Sequence, residues 1–265
     1  MWRILKLETH NASMNMAIDE AIFNARIRNI VPNTLRLYRW QPSAVSVGRF
    51  QDAEKEVHLD NCRKLGVDVV RRITGGGTVY HDAENEITYS VAVSKKDLQS
   101  EDILDVYAKI YSGLREALRI VGIKADFNQG TAKTCPNLTV NGRKISGSAQ
   151  SHKKGIVLQH GTLLLNIDFA EMFSLLRVPQ TNTCYEAAKL AKNKLTSTTS
   201  ELGECPSIER ISDALARGFQ NAFHTALERS ELSQYESDLA DRLCREKYSI
   251  NDWNFNGRVI TSLEP

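Results

Sequence analysis

Apolar residues recur at helical spacing from Ser13 to Arg28 (Met14, Ala17, Ile18, Ala21, Ile22, Ala25), with Asp19 and Glu20 early in the segment, where the helix dipole favours acids. This predicts an amphipathic helix packed on a sheet. Thr34 to Trp40 and Ala44 to Val47 read as strands split by a Gln41-Pro42-Ser43 turn, and Ala53 to Leu65 as a helix with a charged face. Glu86 to Val93 alternates Ile87, Tyr89, Val91 and Val93 inward, the pattern of a half-buried strand. The longest helix begins at Ser100, buries a stripe from Ile103 to Val121 and ends at Gly122. Asn141-Gly142 between two short apolar runs signals a hairpin, because a type I′ turn needs φ > 0 at both central residues. Gly147 to Gly155 reads as a small-residue loop with a basic tip, followed by a strand from Ile156 to Leu165 and a short helix from Phe169.

Residues 178–204 have weak periodicity and read as a surface excursion. Ser207 to Ala226 is amphipathic at helical spacing, and Ser233-Gln234-Tyr235-Glu236 is a capping box opening a last helix that ends near Tyr248. The order of elements predicts an α+β class: a mixed β-sheet flanked by helices, one domain over 1–265, with 207–265 a helical C-terminal portion that looks separable.

Composition narrows the function classes. A net charge of +2 on 265 residues gives no electrostatic case for nucleic acid or a membrane as main partner. No apolar run approaches the ~20 residues of a membrane span, and Met1 to Lys6 is strand-like rather than a signal-peptide core. The five cysteines are scattered and lack CxxC pairing, which argues against a disulfide framework or zinc site and for a cytoplasmic protein.

The candidate chemistry centres on Arg71-Arg72-Ile73-Thr74-Gly75-Gly76-Gly77-Thr78-Val79-Tyr80-His81-Asp82. Three glycines in a row weaken any helix or strand by roughly 0.5–1 kcal/mol each relative to alanine. Such a run belongs where backbone turns sharply or meets a ligand, and successive N–H groups there can cradle an anion. Arg71 and Arg72 add charge suited to phosphate or carboxylate, although the same run also fits a tight hairpin with two solvated arginines. Lys154, at the tip of the second Gly/Ser segment, could stabilise charge developing on a bound group. The chain has no GxxxxGK[ST], GxGxxG, HExxH or GxSxG.

RRITGGGTVYHD followed by NGRKISGSAQSHKKGIVLQHGTLLLN, with SMNMAIDEAI, SVGRFQ and EKYSINDWN, resembles the lipoate–protein ligase family of the biotin/lipoate ligase superfamily, closest to its short archaeal-type members. The resemblance implies an ATP-dependent ligase using ATP, Mg²⁺ and lipoate to form lipoyl-AMP. The lipoyl group would then pass to a lysine of apo lipoyl domains of 2-oxoacid dehydrogenases or of glycine-cleavage H protein. It implies that Arg72 and the Gly75, Gly76, Gly77, Thr78, Val79, Tyr80 run line the adenylate and acyl pocket, that Lys154 contacts the lipoyl carbonyl and α-phosphate, and that His81, Asn85 and His160 match family positions near the site. Each histidine is equally compatible with a structural role. The short length implies an accessory C-terminal domain supplied by a separate protein.

One departure opens an alternative. Where ligases often carry Asn-Asp before the second hairpin, this chain has Cys135-Pro136-Asn137-Leu138, without the carboxylate that Mg²⁺ prefers. ATP-independent octanoyl/lipoyl transferases of the same scaffold use a cysteine in that region, so Cys135 is either an alternative nucleophile or a small buried hydrophobe. A third reading is a non-enzymatic module that binds a lipoyl-like ligand.

Overall fold

The computed structural model of the chain describes residues 1–131, 134–179, 181 and 183–258. In chain order its strands are β1 (Trp2–Leu5), β2 (Glu8–His10), β3 (Asn33–Trp40), β4 (Ala44–Val47), β5 (Asp68–Arg71), β6 (Val79–His81), β7 (Glu86–Ser94), β8 (Asp126–Asn128), β9 (Asn137–Val140), β10 (Arg143–Lys153), β11 (Ile156–Leu164) and β12 (Leu227–Ser230). The large sheet has the order β12-β1-β3-β7-β11-β10-β9-β8, with β2 also pairing with β3; the small sheet has the order β5-β4-β6. β1 lies parallel to β3 and β12, whereas β3, β7, β11, β10, β9 and β8 are antiparallel to one another in turn. The class is α+β, a mixed sheet flanked by helices.

Alternation gives the large sheet two chemically different faces. Leu35, Leu37, Ile87, Tyr89, Val91, Val93 and Leu163 enter one core with the helices Ile103–Ile120 and Ile208–Phe223. Tyr38, Ala92 and Leu158 enter the other with the helix Ala12–Ile27, and Arg36, Thr88, Ser90 and His160 stand on that same face. The first face is apolar, while the second mixes apolar packing with buried polar groups. β7 is therefore buried at eight of its nine positions rather than on one side only, because helices cover both faces.

Three further elements differ from the sequence reading. Gly147 to Lys153 is not a loop but the straight continuation of β10. Its small polar residues have weak strand propensity, and pairing with β11 along its whole length supplies the ladder, β9 reaching no further than Gly147. The 178–204 excursion holds two helices, Cys184–Lys192 and Thr198–Leu202, with 180 and 182 outside the described residues. The region after 207 is built into the frame: β12 extends the large sheet, Ile208–Phe223 packs on Ile103–Ile120, and Gln234–Leu243 packs on Ala12–Ile27. The expected capping box is present, Ser233 and Glu236 each bonding the other's backbone N–H. Among the described residues, no helix is long and apolar enough to cross a membrane.

Candidate active site

A cavity of about 500 Å³ lies on the polar face of the large sheet, where the small sheet meets β10 and β11. This is within the ~300–1,000 Å³ typical of ligand pockets. Gly76, Gly77 and Cys135 at its rim are exposed, whereas Met16, Tyr38, Trp40 and Thr88 at its other end are buried. The cavity thus has an open mouth and a buried interior.

The glycine loop forms one lip. Gly76 has φ +87°, and its carbonyl presses so close to Gly48 that a Cβ on Gly48 would lie 2.1 Å from Gly76 O. Arg49 N–H donates to Thr74 O at 2.8 Å, tying the same two corners together. Arg72 lies beneath and uses all five of its N–H donors: Nε to Thr74 Oγ1, one Nη to Ser46 O and Ser46 Oγ, the other to Gly75 O and Gly77 O. Burial pushes its pKa down to about 10. Arg71 points the opposite way and donates to backbone carbonyls of Gly48, Arg49, Gln51, Trp253 and Phe255, clamping the C-terminal segment to the Gly48 corner. Both arginines therefore shape the loop: among the described residues Arg72 has no donor left for phosphate, and Arg71 does not line the cavity.

The two histidines are also fully engaged. His160 Nδ1 is 2.9 Å from Asp19 Oδ2 and its Nε2 is 2.7 Å from Thr74 Oγ1. His81 Nδ1 is 2.6 Å from Glu86 Oε1 and its Nε2 is 2.7 Å from Ser46 Oγ. In each case a carboxylate accepts from Nδ1–H, so Nε2 accepts from a hydroxyl. Burial lowers the His160 pKa despite the Asp19 carboxylate, in keeping with a neutral ring. Asp19 is the hub of this network. Burial alone would raise its pKa, but Arg36, at 2.7 Å, and His160 overcome that and hold it below the usual carboxylate value. Tyr38 and Ser90 also donate to it.

The opposite lip carries Lys144 and Cys135. Lys144 reaches the cavity because of a β-bulge between Lys144 and Ser146. Ser146 pairs with Leu138 and Leu163 on the apolar face, so in a regular strand Lys144, two residues away, would share that face. The bulge instead pairs Lys144 with Thr139 and turns it to the cavity. Gly147 makes room for it, since a Cβ there would meet Lys144 Cε and Nζ at 2.5 Å. The 194–196 segment clamps the Lys144 backbone from outside, with Lys144 N–H donating to Lys194 O and Thr196 N–H to Lys144 O. Burial lowers the Lys144 pKa. Among the described residues, its ammonium has no hydrogen-bond partner.

Cys135 borders the same lip, its Sγ 3.7 Å from where a Gly76 Cβ would stand. Its negative form would favour the charged states of both Arg72 and Lys144. The next residue is anchored from below: Tyr111, fully buried, donates to Pro136 O at 3.2 Å and accepts from Ser148 Oγ at 2.7 Å.

Residues 11–220 match the model of the lipoyl protein ligase A/B catalytic domain. The chain belongs to that family. It is 35% identical to octanoyltransferase LipM of Clostridioides difficile (strain 630) over 268 residues, 96% of this chain and 98% of that protein, and 32% identical to octanoyltransferase LipM of Bacillus subtilis (strain 168) with the same coverage. Two structures resemble it over 97% of its length at a TM-score of 0.83. One is an archaeal lipoylation system, a bipartite lipoate protein ligase and its E2 lipoyl domain from Thermoplasma acidophilum, at 31% identity and 97% of that chain. The other is lipoate-protein ligase A bound with ATP, at 30% identity and 99% of that chain.

These relatives correct the expected activity. Curated proteins alike over nearly their whole length are octanoyltransferases, so the ATP-dependent ligase reading, with ATP, Mg²⁺ and lipoyl-AMP, is overturned. An octanoyltransferase moves an existing acyl group and has no free acid to activate. The lining agrees: among the described residues it presents the cations Arg72 and Lys144 and no carboxylate that would suit Mg²⁺. Among the described residues, no three His, Cys, Asp or Glu side chains are grouped to hold a metal ion.

Of the family positions expected at the site, Arg72, Gly76, Gly77, Thr78, Val79, His81, His160 and Cys135 line the cavity. Gly75 does not, though its carbonyl receives Arg72. Tyr80 points away into the core with Val45, Val47 and Phe173, because β6 alternates. Asn85 sits in the turn before β7, bonded to Asp82. Lys154 is the largest displacement: it occupies the exposed tip between β10 and β11, outside the cavity, because the supposed loop is a strand. Lys144 takes the place in the cavity that was expected of Lys154. Its readable signal was the Lys144-x-x-Gly147 spacing, in which the glycine supplies space for the lysine.

Proposed function

We propose that this chain is an octanoyltransferase of protein lipoylation that works through a thioester on Cys135. The observation that carries the reading is the placement of the Cys135 thiol and the uncommitted Lys144 ammonium on one lip of a cavity with a buried interior. The donor is an octanoyl thioester, and the acceptor is a lysine of a lipoyl domain or glycine-cleavage H protein.

In the first half-reaction the Cys135 thiolate attacks the donor's carbonyl carbon. A C–S bond to Cys135 forms, the C–S bond to the donor breaks, and the donor leaves as a thiolate that takes up a proton. In the second, the neutral ε-amine of the acceptor lysine attacks the Cys135 thioester. The amide forms, the Cys135 C–S bond breaks, and the amine's proton returns to the cysteine sulfur or to solvent. Each step passes through an oxyanion, and an oriented ammonium beside the carbonyl stabilises it. Lys144 fits that role, having N–H groups free and a depressed affinity for its proton that lets it relay one. Arg72, His81 and His160 hold the glycine lip and the floor in shape.

Intact-mass analysis tests the proposal. The protein incubated with an octanoyl thioester should gain one octanoyl group on Cys135 and pass it to an apo lipoyl domain, without ATP. Cys135→Ser should abolish both events. Acylation of the acceptor that persists in Cys135→Ser would refute the covalent route.

A further inference from the structure

Resting on the transferase reading, we infer that Tyr111 is a positioning residue of acyl transfer: a buried chain of hydrogen bonds ends on its hydroxyl, which holds the Pro136 carbonyl and so fixes the turn that carries Cys135. The apolar face of the large sheet carries one polar track. On that face Ser148, Gln150 and His152 of β10 stand beside Gly161, Gln159 and Val157 of β11, and Tyr89 of β7 stands on the far side of Gly161. Along the track the hydrogen bonds run one way. His152 Nε2 donates to Gln150 Oε1 at 2.7 Å, Gln150 Nε2 to Gln159 Oε1 at 2.6 Å, and Gln159 Nε2 to Tyr89 Oη at 3.1 Å. Tyr89 Oη, having accepted from Gln159, is hydrogen-bonded in turn to Ser148. Ser148 Oγ then donates to Tyr111 Oη at 2.7 Å, and Tyr111 Oη to Pro136 O at 3.2 Å.

Gly161 is the gap through which the track passes. A Cβ there would stand 2.7 Å from Ser148 Cβ and 3.0 Å from Tyr89 Oη. Glycine weakens the interior of a strand, so β11 gives up strand stability where the track crosses it. Gln159, Tyr89 and Tyr111 are fully buried, and a buried hydrogen-bonded pair stabilises a core about as much as apolar groups of the same shape. The track thus adds geometry more than stability, and its geometry is delivered at Pro136. Proline has no N–H, which leaves its carbonyl as the backbone group by which that residue can be held. Its neighbours are tied as well: Cys135 O accepts from Asn137 Nδ2 at 3.3 Å, and Thr131 and Thr134 exchange backbone hydrogen bonds just ahead. Cys135 itself is exposed at the rim, so its thiol takes its aim from this turn. A misplacement of ~1 Å can slow a reaction between aligned groups by about 10²-fold.

Tyr111→Phe keeps the ring and removes the hydroxyl. The expected result is a loss of about 10–100-fold in the single-turnover rate of Cys135 acylation by saturating octanoyl-coenzyme A. Alkylation of Cys135 by iodoacetamide, followed by peptide mass, should be unchanged, because it needs a thiolate but no aligned second group. Gln159→Leu, farther up the track and outside the cavity lining, should show part of the same loss, and the double variant should be no slower than Tyr111→Phe alone. Acylation equal to wild type in Tyr111→Phe, or acylation and alkylation changed by the same factor, overturns the positioning role. Losses that add in the double variant overturn the chain. A wild type that forms no acyl adduct on Cys135 refutes the transferase reading itself, and the inference falls with it.

Discussion

Lys144 and Arg72 are both cations against one cavity, yet they differ in what they can offer a substrate. Arg72 has five N–H groups and five protein acceptors, so its charge is used in folding the glycine lip. Lys144 keeps its donors free and is disfavoured as a cation by burial, which makes it the group able to follow charge as it develops. Lys144→Ala should therefore slow Cys135 acylation by about 10²–10³-fold, the loss typical of a removed oxyanion donor, with little change in KM. Lys154→Ala should leave the reaction with octanoyl-coenzyme A at its wild-type rate. Single-turnover kinetics separates the two lysines, and equal rates for Lys144→Ala and wild type would remove Lys144 from the mechanism.

Among elements, the contact between two tight corners matters most. SVGRF and TGGGT are 28 residues apart in sequence but meet backbone to backbone at Gly48 and Gly76, so the lip is a two-corner device and not a free loop. Gly48→Ala would place a methyl 2.1 Å from Gly76 O, where no flexible side chain can yield. Overpacking of this kind costs about 1–3 kcal/mol. The variant should show a urea midpoint shifted down accordingly and a larger fractional loss of acylation than of stability. A midpoint and rate both equal to wild type would show that the corners separate readily. β10 makes the same point for strands. Its bulge at Lys144, its small residue at 147 and its outer clamp at 194–196 are three separate features that together aim one side chain.

At the scale of the whole molecule, the polar face of the sheet sets the response to acid. An unfolded histidine takes up a proton near pH 6.5, while burial delays protonation of His160, and also of His152 and His58, in the folded chain. Between those values the unfolded state holds more protons, so stability falls as pH drops. Asp19 acts in the same sense at lower pH, because its folded carboxyl resists protonation below the usual value. Urea unfolding should give a lower midpoint at about pH 5.5 than at about pH 7.5, with a shallower decline in His160→Gln. A midpoint that rises on acidification would contradict a buried neutral His160.

The sequence by itself determined much of this protein. Helical spacing marked the two long core helices, alternation marked β7, Asn141-Gly142 fixed a turn that needs φ > 0, and Ser233 with Glu236 fixed a cap, because each of these is a local rule. Motif order pointed to the family. What only the tertiary structure decided was which charged groups are free. Local pattern gives no count of a side chain's partners, so Arg71 and Arg72 looked like anion ligands until their acceptors were in place. Pattern also cannot distinguish a weak strand held by its neighbour from a loop, and that difference put Lys144 rather than Lys154 at the cavity. Choosing between ligase and transferase turned on relatives and on a thiol and an ammonium from separate segments meeting at one lip, a juxtaposition that long-range pairing creates.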